Sequence, residues 1–231
     1  MGVDEVGRGP LAGPVTVCVL ALPAQAGMPK SSVWFKSVKL PLRDSKKLSV
    51  IQRELWLKEI KKAVKRGEAF YVVKSVGVKT IDQINIKQAA DLAATRAFQK
   101  LLFKIYKNSG KKKILKNCHM AIFEAEKKWV KLAEKMEVIL DAGLRINIPN
   151  LKQKSFPKAD ERVPAVSLAS IVAKVKRDKY MGLLDKKYPG YGFAKNKGYG
   201  TAGHYRALKK LGLSAVHRLT FTHISDKLNK K

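Results

Sequence analysis

Apolar residues occur along the chain in two patterns. Short runs at 15–22, 68–76 and 138–140 are rich in Val, Leu, Ile and aromatic residues, and their length and composition predict buried strands. A further strand is expected at the start of the chain, where Val3 leads into a glycine-rich turn. The segment 23–40 contains Pro, Gly and Ser, which predicts a hairpin excursion that returns as a strand.

Elsewhere, apolar residues recur every three or four positions, the spacing of one helix face. Ser49 can cap a helix over 50–65 that Gly67 ends, and Thr80 can cap a longer helix of about 25 residues. Further helices are expected at 120–135, at 165–187 after Pro164 and near 202–211, with strand and turn character at 148–163. Strands followed by alternating helices and strands predict an α/β fold with a mixed sheet.

The charge balance of the chain indicates the kind of partner it binds. Among 231 residues, 48 Lys and Arg stand against 18 Asp and Glu, a net charge of +30, which predicts a polyanionic partner such as nucleic acid. The sequence has no uninterrupted apolar span of about 18 residues and opens directly into a motif, so we expect a cytoplasmic protein without membrane contact. Cys18 and Cys118 are expected to be free thiols.

Four acidic residues lie where a carboxylate is costly. Asp4 and Glu5 follow a strand, Asp141 ends the apolar run 138–140, and Asp178 lies at the edge of the apolar face of the helix at 165–187. Each alone could be a cap or a surface acid, but the four together favour a shared divalent cation. Oxygen ligands select Mg²⁺ or Mn²⁺. With nucleic acid as the expected partner, the sequence predicts phosphodiester hydrolysis with two ions about 3.5–4 Å apart.

The adjacency of the first two acids poses a geometric problem. Successive side chains on a strand point to opposite faces, so Asp4 and Glu5 could not share a ligand on a regular strand. Gly7 and Gly9 would allow a bulge or an early end. We therefore expect regular strand pairing to break at or just after Glu5.

Five sequence blocks carry a resemblance to a known family. These are Gly-Val-Asp-Glu-Val-Gly-Arg-Gly-Pro-Leu-Ala-Gly-Pro-Val at 2–15, Asp-Ser-Lys-Lys-Leu-Ser at 44–49, Ile-Asn at 84–85, Ala-Ser-Ile-Val-Ala-Lys-Val-Lys-Arg-Asp at 169–178 and His-Arg-Leu-Thr-Phe at 217–221. In this order the blocks resemble the ribonuclease HII family, the type 2 ribonucleases H. The resemblance implies a ribonuclease H-like α/β fold, with a mixed central sheet flanked by helices and a small C-terminal helical part. It divides the chain into a catalytic domain at 1–187 and a C-terminal region at 188–231 that contributes to the substrate groove.

The resemblance also implies an activity and a set of roles. It implies hydrolysis of RNA in RNA/DNA hybrids and nicking 5′ to single ribonucleotides in DNA, with 3′-hydroxyl and 5′-phosphate products. The metal-binding acids map onto Asp4, Glu5, Asp141 and Asp178. The tripeptide Gly7, Arg8 and Gly9 matches the one whose backbone contacts the ribose 2′-hydroxyl, and Tyr199 matches the tyrosine that stacks on the neighbouring deoxyribose.

Other positions have weaker signals. Lys46 and Lys158 are candidates for phosphate contacts, as are Ser167 and Ser170, although such serines more often cap helices or bond to their own backbone. We expect a monomer that binds RNA/DNA hybrids and DNA containing ribonucleotides. The alternative is a non-catalytic basic nucleic-acid-binding protein that retains the fold; the complete acid set, the tripeptide and Tyr199 favour the enzyme.

Overall fold

A mixed five-stranded sheet forms the centre of the described part of the chain, which comprises residues 1–22, 34–108 and 136–221 of this computed structural model. The strands are β1 (Gly2–Val6), β2 (Val15–Ala21), β3 (Phe70–Val76), β4 (Val138–Asp141) and β5 (Gln153–Phe156). Their order is β3-β2-β1-β4-β5. The first three strands pair antiparallel, whereas β4 runs parallel to both β1 and β5, so the predicted mixed sheet is confirmed.

Strand β2 shows why the sheet needs helices on both faces. All seven of its residues are buried, and alternate side chains enter different cores, as a period of two requires. Val17 and Val19 join the cluster that includes Phe98, whereas Cys18 and Leu20 join the cluster around Trp56. Because both faces are apolar, each must be covered.

The described helices are α1 (Val50–Lys65), α2 (Val78–Asn108), α3 (Ala159–Arg162), α4 (Pro164–Lys187), α5 (Phe193–Asn196) and α6 (Ala202–Leu211), and of these α1, α2 and α4 cover the two faces of the sheet. The predicted bounds of α1 are confirmed. Ser49 accepts a hydrogen bond from the Gln52 amide and the Gln52 side chain accepts one from the Ser49 amide, a complete capping box. Pro164 occupies the first turn of α4, where its missing amide proton costs nothing.

Helix α2 differs from the prediction. It begins at Val78, ahead of the expected cap at Thr80, and is interrupted at Asn85, whose φ of 65° and ψ of 167° are not helical. Asn85 Oδ1 accepts a hydrogen bond from the Gln88 amide at 3.0 Å, so Asn85 caps the long second segment. The prediction of one helix capped by Thr80 is therefore wrong, because a side-chain cap three residues before Gln88 competes with continuous helix.

Residues near the C-terminus pack on the end of α4. Met181 and Leu184 of α4 form a third apolar cluster with Tyr191, Phe193 and other residues, among them Leu11 from the turn after β1. The proposed division at residues 187 and 188 stays a prediction. Among the described residues, no helix is long and apolar enough to cross a membrane.

Two predicted segments fall wholly or partly outside the described residues. The helix expected at 120–135 and the hairpin tip at 23–33 lie there. The described remainder of the hairpin forms a short 3₁₀ helix at Trp34–Ser37, and the expected return strand is absent from 34–40. This segment lies against the Trp56 core through Trp34, Phe35 and Leu40, so packing against a helix layer replaces strand pairing.

Candidate active site

The first acid of the site is buried where β1 faces α4. Asp4 is 6% exposed, and its Oδ1 accepts a hydrogen bond from the Glu5 amide at 2.8 Å. Burial raises the pKa of the Asp4 carboxyl well above its usual range; the charge of Glu5 raises this pKa further, Ser170 lowers it by hydrogen bonding, and Asp141 raises it. Asp4 is thus a buried carboxylate beside two others.

Glu5 has an oxygen without a partner. Its Oε1 accepts a hydrogen bond from Arg8 Nη1 at 3.2 Å, but Oε2 is buried and has no hydrogen-bond partner. Burial raises the pKa of Glu5, Arg8 counteracts that shift, and Asp141 adds to it. A buried unpaired carboxylate oxygen is costly, and a cation would relieve that cost.

The other two predicted acids come from β4 and α4. Asp141 is the last residue of β4, and its Oδ1 accepts a hydrogen bond from the Ala159 amide at 3.1 Å. Asp178 lies on α4, where Oδ1 accepts from Lys174 Nζ at 2.9 Å and Oδ2 lies 3.9 Å from an Arg53 nitrogen. Asp178 is therefore neutralised by side chains, whereas Asp141 interacts with Asp4 and Glu5.

The oxygen atoms of the four acids are suitable ligands for a divalent cation, although the side chains are not arranged around one in this structure. Within the ranges that the structure describes, no three histidine, cysteine or acidic side chains are already arranged to hold an ion. Arg8 and Lys174 occupy oxygens of Glu5 and Asp178. The mutual repulsion of the buried acids and the unpartnered Oε2 nevertheless mark a position for positive charge, and an all-oxygen donor set suits Mg²⁺ or Mn²⁺.

No bulge occurs in β1, but the strand ends just after Glu5, as predicted. Strand β1 pairs regularly with β2 from Gly2 opposite Leu20 to Val6 opposite Thr16, and Gly7 follows with a φ of 91°. On the other edge, parallel pairing with β4 covers only Gly2 and Val3. Beyond Val3 the edge of β1 is open toward the end of β4, which lets the Glu5 and Asp141 carboxylates interact without a bulge.

The residues between β1 and β2, 7–14, form a turn that we call the glycine loop. Two buried arginines hold it by its carbonyl oxygens. Arg218 donates to the carbonyls of Gly7, Arg8 and Gly13 at 2.6–3.0 Å. Arg177, 0% exposed, donates to the carbonyls of Ala12, Pro14 and Lys197 at 2.9–3.2 Å.

Close packing against these arginines explains the first glycine of the tripeptide. Gly7 has φ +91°, and a Cβ there would overlap the guanidinium group of Arg177. Sequence analysis assigned no role to Arg177 or Arg218. Neither the apolar pattern of α4, on which Arg177 lies, nor the residues next to Arg218 in sequence reveal these roles, because the partners are carbonyls brought together only by the fold.

The tripeptide and Tyr199 lie side by side. A Cβ on Gly9 would lie 3.8 Å from Cε1 of the Tyr199 ring, and that side chain is 41% exposed. The carbonyl of Gly198 accepts hydrogen bonds from the amides of Leu11 and Ala12 at 2.8 and 3.3 Å. The approach is so close that a Cβ on Gly198 would overlap the Ala12 carbonyl.

The weaker candidates divide into exposed lysines and buried serines. Lys46 and Lys158 are exposed, and Lys158 precedes Ala159, whose amide contacts Asp141. Ser167 is buried and its hydroxyl donates to the carbonyl of Asp160. Ser170 is buried and bonds with Ser45 Oγ at 2.8 Å. These internal bonds do not support phosphate contacts by the serines, whose predicted role stays a prediction.

Comparison with solved structures gives the class of fold. The ribonuclease H2 from Pyrococcus horikoshii OT3 superposes with a TM-score of 0.55 at 23% identity, covering 100% of this chain and 98% of that one. Ribonuclease HII from Archaeoglobus fulgidus, solved in complex with PCNA, gives 0.55 at 21%, covering 100% and 96%. Bst-RNase HIII in complex with Mn²⁺ gives 0.60 at 18%, covering 98% and 68%. The chain has the ribonuclease H-like α/β fold.

Sequence comparison gives the family. The chain is 36% identical over 230 residues to ribonuclease HII of Desulfitobacterium hafniense strain Y51, covering 99% of this chain and 70% of the relative. It is 37% identical over 227 residues to ribonuclease HII of Endomicrobium trichonymphae, covering 97% and 86%. The family model for ribonuclease HII matches residues 1–224. The chain belongs to the ribonuclease HII family and is a ribonuclease H enzyme, an endonuclease.

Proposed function

We propose that this enzyme uses divalent metal ions held by Asp4, Glu5, Asp141 and Asp178, and that it nicks DNA on the 5′ side of a single embedded ribonucleotide. The products carry 3′-hydroxyl and 5′-phosphate ends. The observation that carries the metal part is the buried, unpartnered Oε2 of Glu5 beside a second buried carboxylate, Asp4. A bound cation would contact Oε2 of Glu5 and supply the interaction that no group among the described residues provides.

The chemistry follows from this donor set. Divalent ions bound by the four carboxylates would activate the attacking water and stabilise charge on the leaving oxygen. The protein's own contribution is orientation: the Ala159 amide fixes the Asp141 carboxylate, and the Glu5 amide fixes that of Asp4. Lys174 and Arg8 neutralise Asp178 and Glu5 and would have to release these oxygens to the cation.

The recognition of a ribonucleotide is proposed for the glycine loop and Tyr199. The amides of Arg8 and Gly9 donate to no acceptor in the described part of the chain, and Gly9 is exposed. These amides can therefore contact a 2′-hydroxyl, the group that distinguishes RNA from DNA. The Tyr199 ring beside Gly9 is placed to stack on the next sugar, where a deoxyribose offers an apolar face.

Substrate affinity is attributed to charge. A net charge of +30 predicts strong, sequence-independent attraction to phosphates, with affinity that falls steeply as salt rises. Lys46 and Lys158 are exposed and are proposed to contact the backbone of the cleaved strand. We propose Mg²⁺ or Mn²⁺ as the ion, consistent with the Mn²⁺ complex of the related HIII structure.

The test is cleavage of an end-labelled DNA duplex that contains one ribonucleotide, with Mg²⁺, with Mn²⁺ or with EDTA. We expect a single nick 5′ to the ribonucleotide that requires metal, and no cleavage of the all-DNA duplex. A product cut on the 3′ side, or cleavage in EDTA, would contradict the proposal.

Asp141→Asn tests the metal ligands with little change in shape. The asparagine retains an oxygen that can accept from the Ala159 amide, so local structure should survive while a metal ligand charge is lost. We expect cleavage to fall by about 10²–10³-fold, the scale of losing one group that stabilises the transition state, with duplex affinity nearly unchanged. Normal cleavage by this variant would show that Asp141 holds no catalytic ion.

A further inference from the structure

Two histidines meet inside the C-terminal cluster. His204 on α6 and His217 are 0% and 2% exposed, and their Nε2 atoms lie 3.0 Å apart. The rings of Tyr191 and Phe193 surround them, with ring centroids 5.0–6.5 Å from the imidazoles. A hydrogen-bonded pair of imidazoles thus lies in an apolar cluster, where aliphatic side chains would need no hydrogen-bond partners.

Hydrogen bonds at the two ends of the pair fix its protons. His204 Nδ1 lies 2.9 Å from the carbonyl of Tyr199, which can only accept, so Nδ1 carries a proton. The amide of Ser214 donates to His217 Nδ1 at 2.9 Å, so that nitrogen is an acceptor and His217 carries its proton on Nε2. The bond between the rings therefore runs from His217 to His204, with both imidazoles neutral.

The chain of bonds ends on the backbone of Tyr199. Its carbonyl accepts from His204 Nδ1 and from the Thr201 amide. On the other side of the same residue, the Gly198 carbonyl accepts from the Leu11 amide of the glycine loop. Both peptide groups that flank the Tyr199 Cα are therefore held, which fixes the backbone from which the ring projects beside Gly9.

We propose that His204 and His217 are positioning residues for junction recognition: by donating through His204 to the Tyr199 carbonyl, the neutral pair sets the Tyr199 ring beside Gly9. This inference rests on the proposed role of Tyr199 in stacking on a deoxyribose. The two histidines do not contact the substrate. They act through the Tyr199 backbone on the preference for a ribonucleotide–deoxyribonucleotide junction over a bond within continuous RNA.

Substitutions of His204 separate the two bonds that its ring makes. Asparagine can place an amide N–H at the position of Nδ1 and keep the bond to Tyr199, whereas glutamine can reach His217 but leaves the Tyr199 carbonyl without this donor. Phenylalanine keeps the ring volume and loses both bonds. The measured quantity is the ratio of kcat/KM on a single-ribonucleotide duplex to kcat/KM on a continuous RNA/DNA hybrid.

This ratio reports the position of Tyr199 separately from the chemical step, because both substrates are cleaved at the same site. We expect the ratio to fall at least about tenfold in His204→Gln and His204→Phe, since small misplacements of a contact group cost this much or more. His204→Asn should restore the ratio to within about threefold of the original, a margin below 1 kcal/mol. Phe98→Leu, in the separate core cluster formed with α2, is the control for lost stability and should leave the ratio unchanged.

Each outcome has one meaning. If the ratio of kcat/KM values falls equally in His204→Asn and His204→Gln, or falls in neither, the positioning role is overturned. If His204→Phe does not fold, the comparison of His204→Asn with His204→Gln still tests the positioning role. If the unmodified enzyme makes no metal-dependent cut at the junction, the proposed function itself fails before any variant is compared.

Discussion

Replacing Asp4 by Asn should make the metal-free protein more stable while it destroys the enzyme. Asp4 is 6% exposed, with the carboxylates of Glu5 and Asp141 beside it. Asparagine has the same shape and keeps an oxygen for the Glu5 amide, so the substitution removes a buried charge and little else. We expect a gain of about 1–3 kcal/mol in the free energy of unfolding, the usual scale for relieving a buried uncompensated group.

The gain should be visible in thermal unfolding. For a domain of this size, 1 kcal/mol corresponds to about 2–4 °C in Tm, so Asp4→Asn should melt about 2–12 °C above the unmodified protein in EDTA. Saturating metal should reverse the order. Metal at about 1,000 times its Kd adds about 4.1 kcal/mol to a protein that binds it, more than the expected gain of the variant, which should lack most of this increment.

Asp91 provides the matched control. It is also a buried acid, at 5% exposure, but its oxygens accept from the Arg145 amide at 2.9 Å and from Lys87 at 3.0 Å. Asp91→Asn should therefore lower Tm and leave the metal response unchanged. If Asp4→Asn instead destabilises the metal-free protein, or if metal raises its Tm as much as that of the unmodified protein, the acids do not form a cation site.

Three further predictions concern other parts of the molecule. Tyr199→Ala should lower junction cleavage by about 1–2 kcal/mol of transition-state binding, the scale of one lost stacking contact, with a smaller loss on continuous hybrid; equal losses on both substrates would contradict the stacking role. Burial, and then the charge of His204, lower the pKa of His217 to about 4; the unfolded chain binds this proton more readily, so stability should fall as pH drops from about 6.5 toward 4, by at most about 3 kcal/mol. Urea unfolding should show this fall relative to His217→Phe, and parallel pH profiles would argue against it. Asn85→Ala removes the bond to the Gln88 amide and places Ala at φ 65°, which should cost about 1–3 kcal/mol in urea unfolding; no loss would mean that the interruption is not held by this cap.

Elements defined by neighbouring residues were predictable from the sequence. The bounds of α1 follow from Ser49, Gln52 and the apolar face, since the capping box needs only residues three positions apart. The start of α4 follows from Pro164. Asp178 could be placed at the edge of a buried face because the apolar residues of α4 repeat with the helix period.

Features that depend on distant partners were not predictable in the same way. The interruption at Asn85 depends on a competition between a cap and a continuous helix, which periodicity does not resolve. The open edge of β1 beyond Val3 depends on where β4 lies beside it. Arg177 and Arg218 are ordinary basic residues in a chain with many, and only the folded glycine loop supplies the carbonyls that bury them.

The candidate site contains buried charges of both signs, the acids on one side of the glycine loop and two arginines beneath it. Asp4 and Glu5 lie on one side of the glycine loop, while the guanidinium groups of Arg177 and Arg218 lie beneath it, and burial lowers the pKa of both arginines. Burying either set of charges costs free energy, since buried ions lose their hydration. A phosphodiester accompanied by divalent cations presents both complementary charges at once, the cations to the acids and the phosphate to the loop. If divalent cations bind the acids as proposed, the same ligand would relieve the electrostatic cost on both sides, and metal and nucleic acid should each strengthen binding of the other.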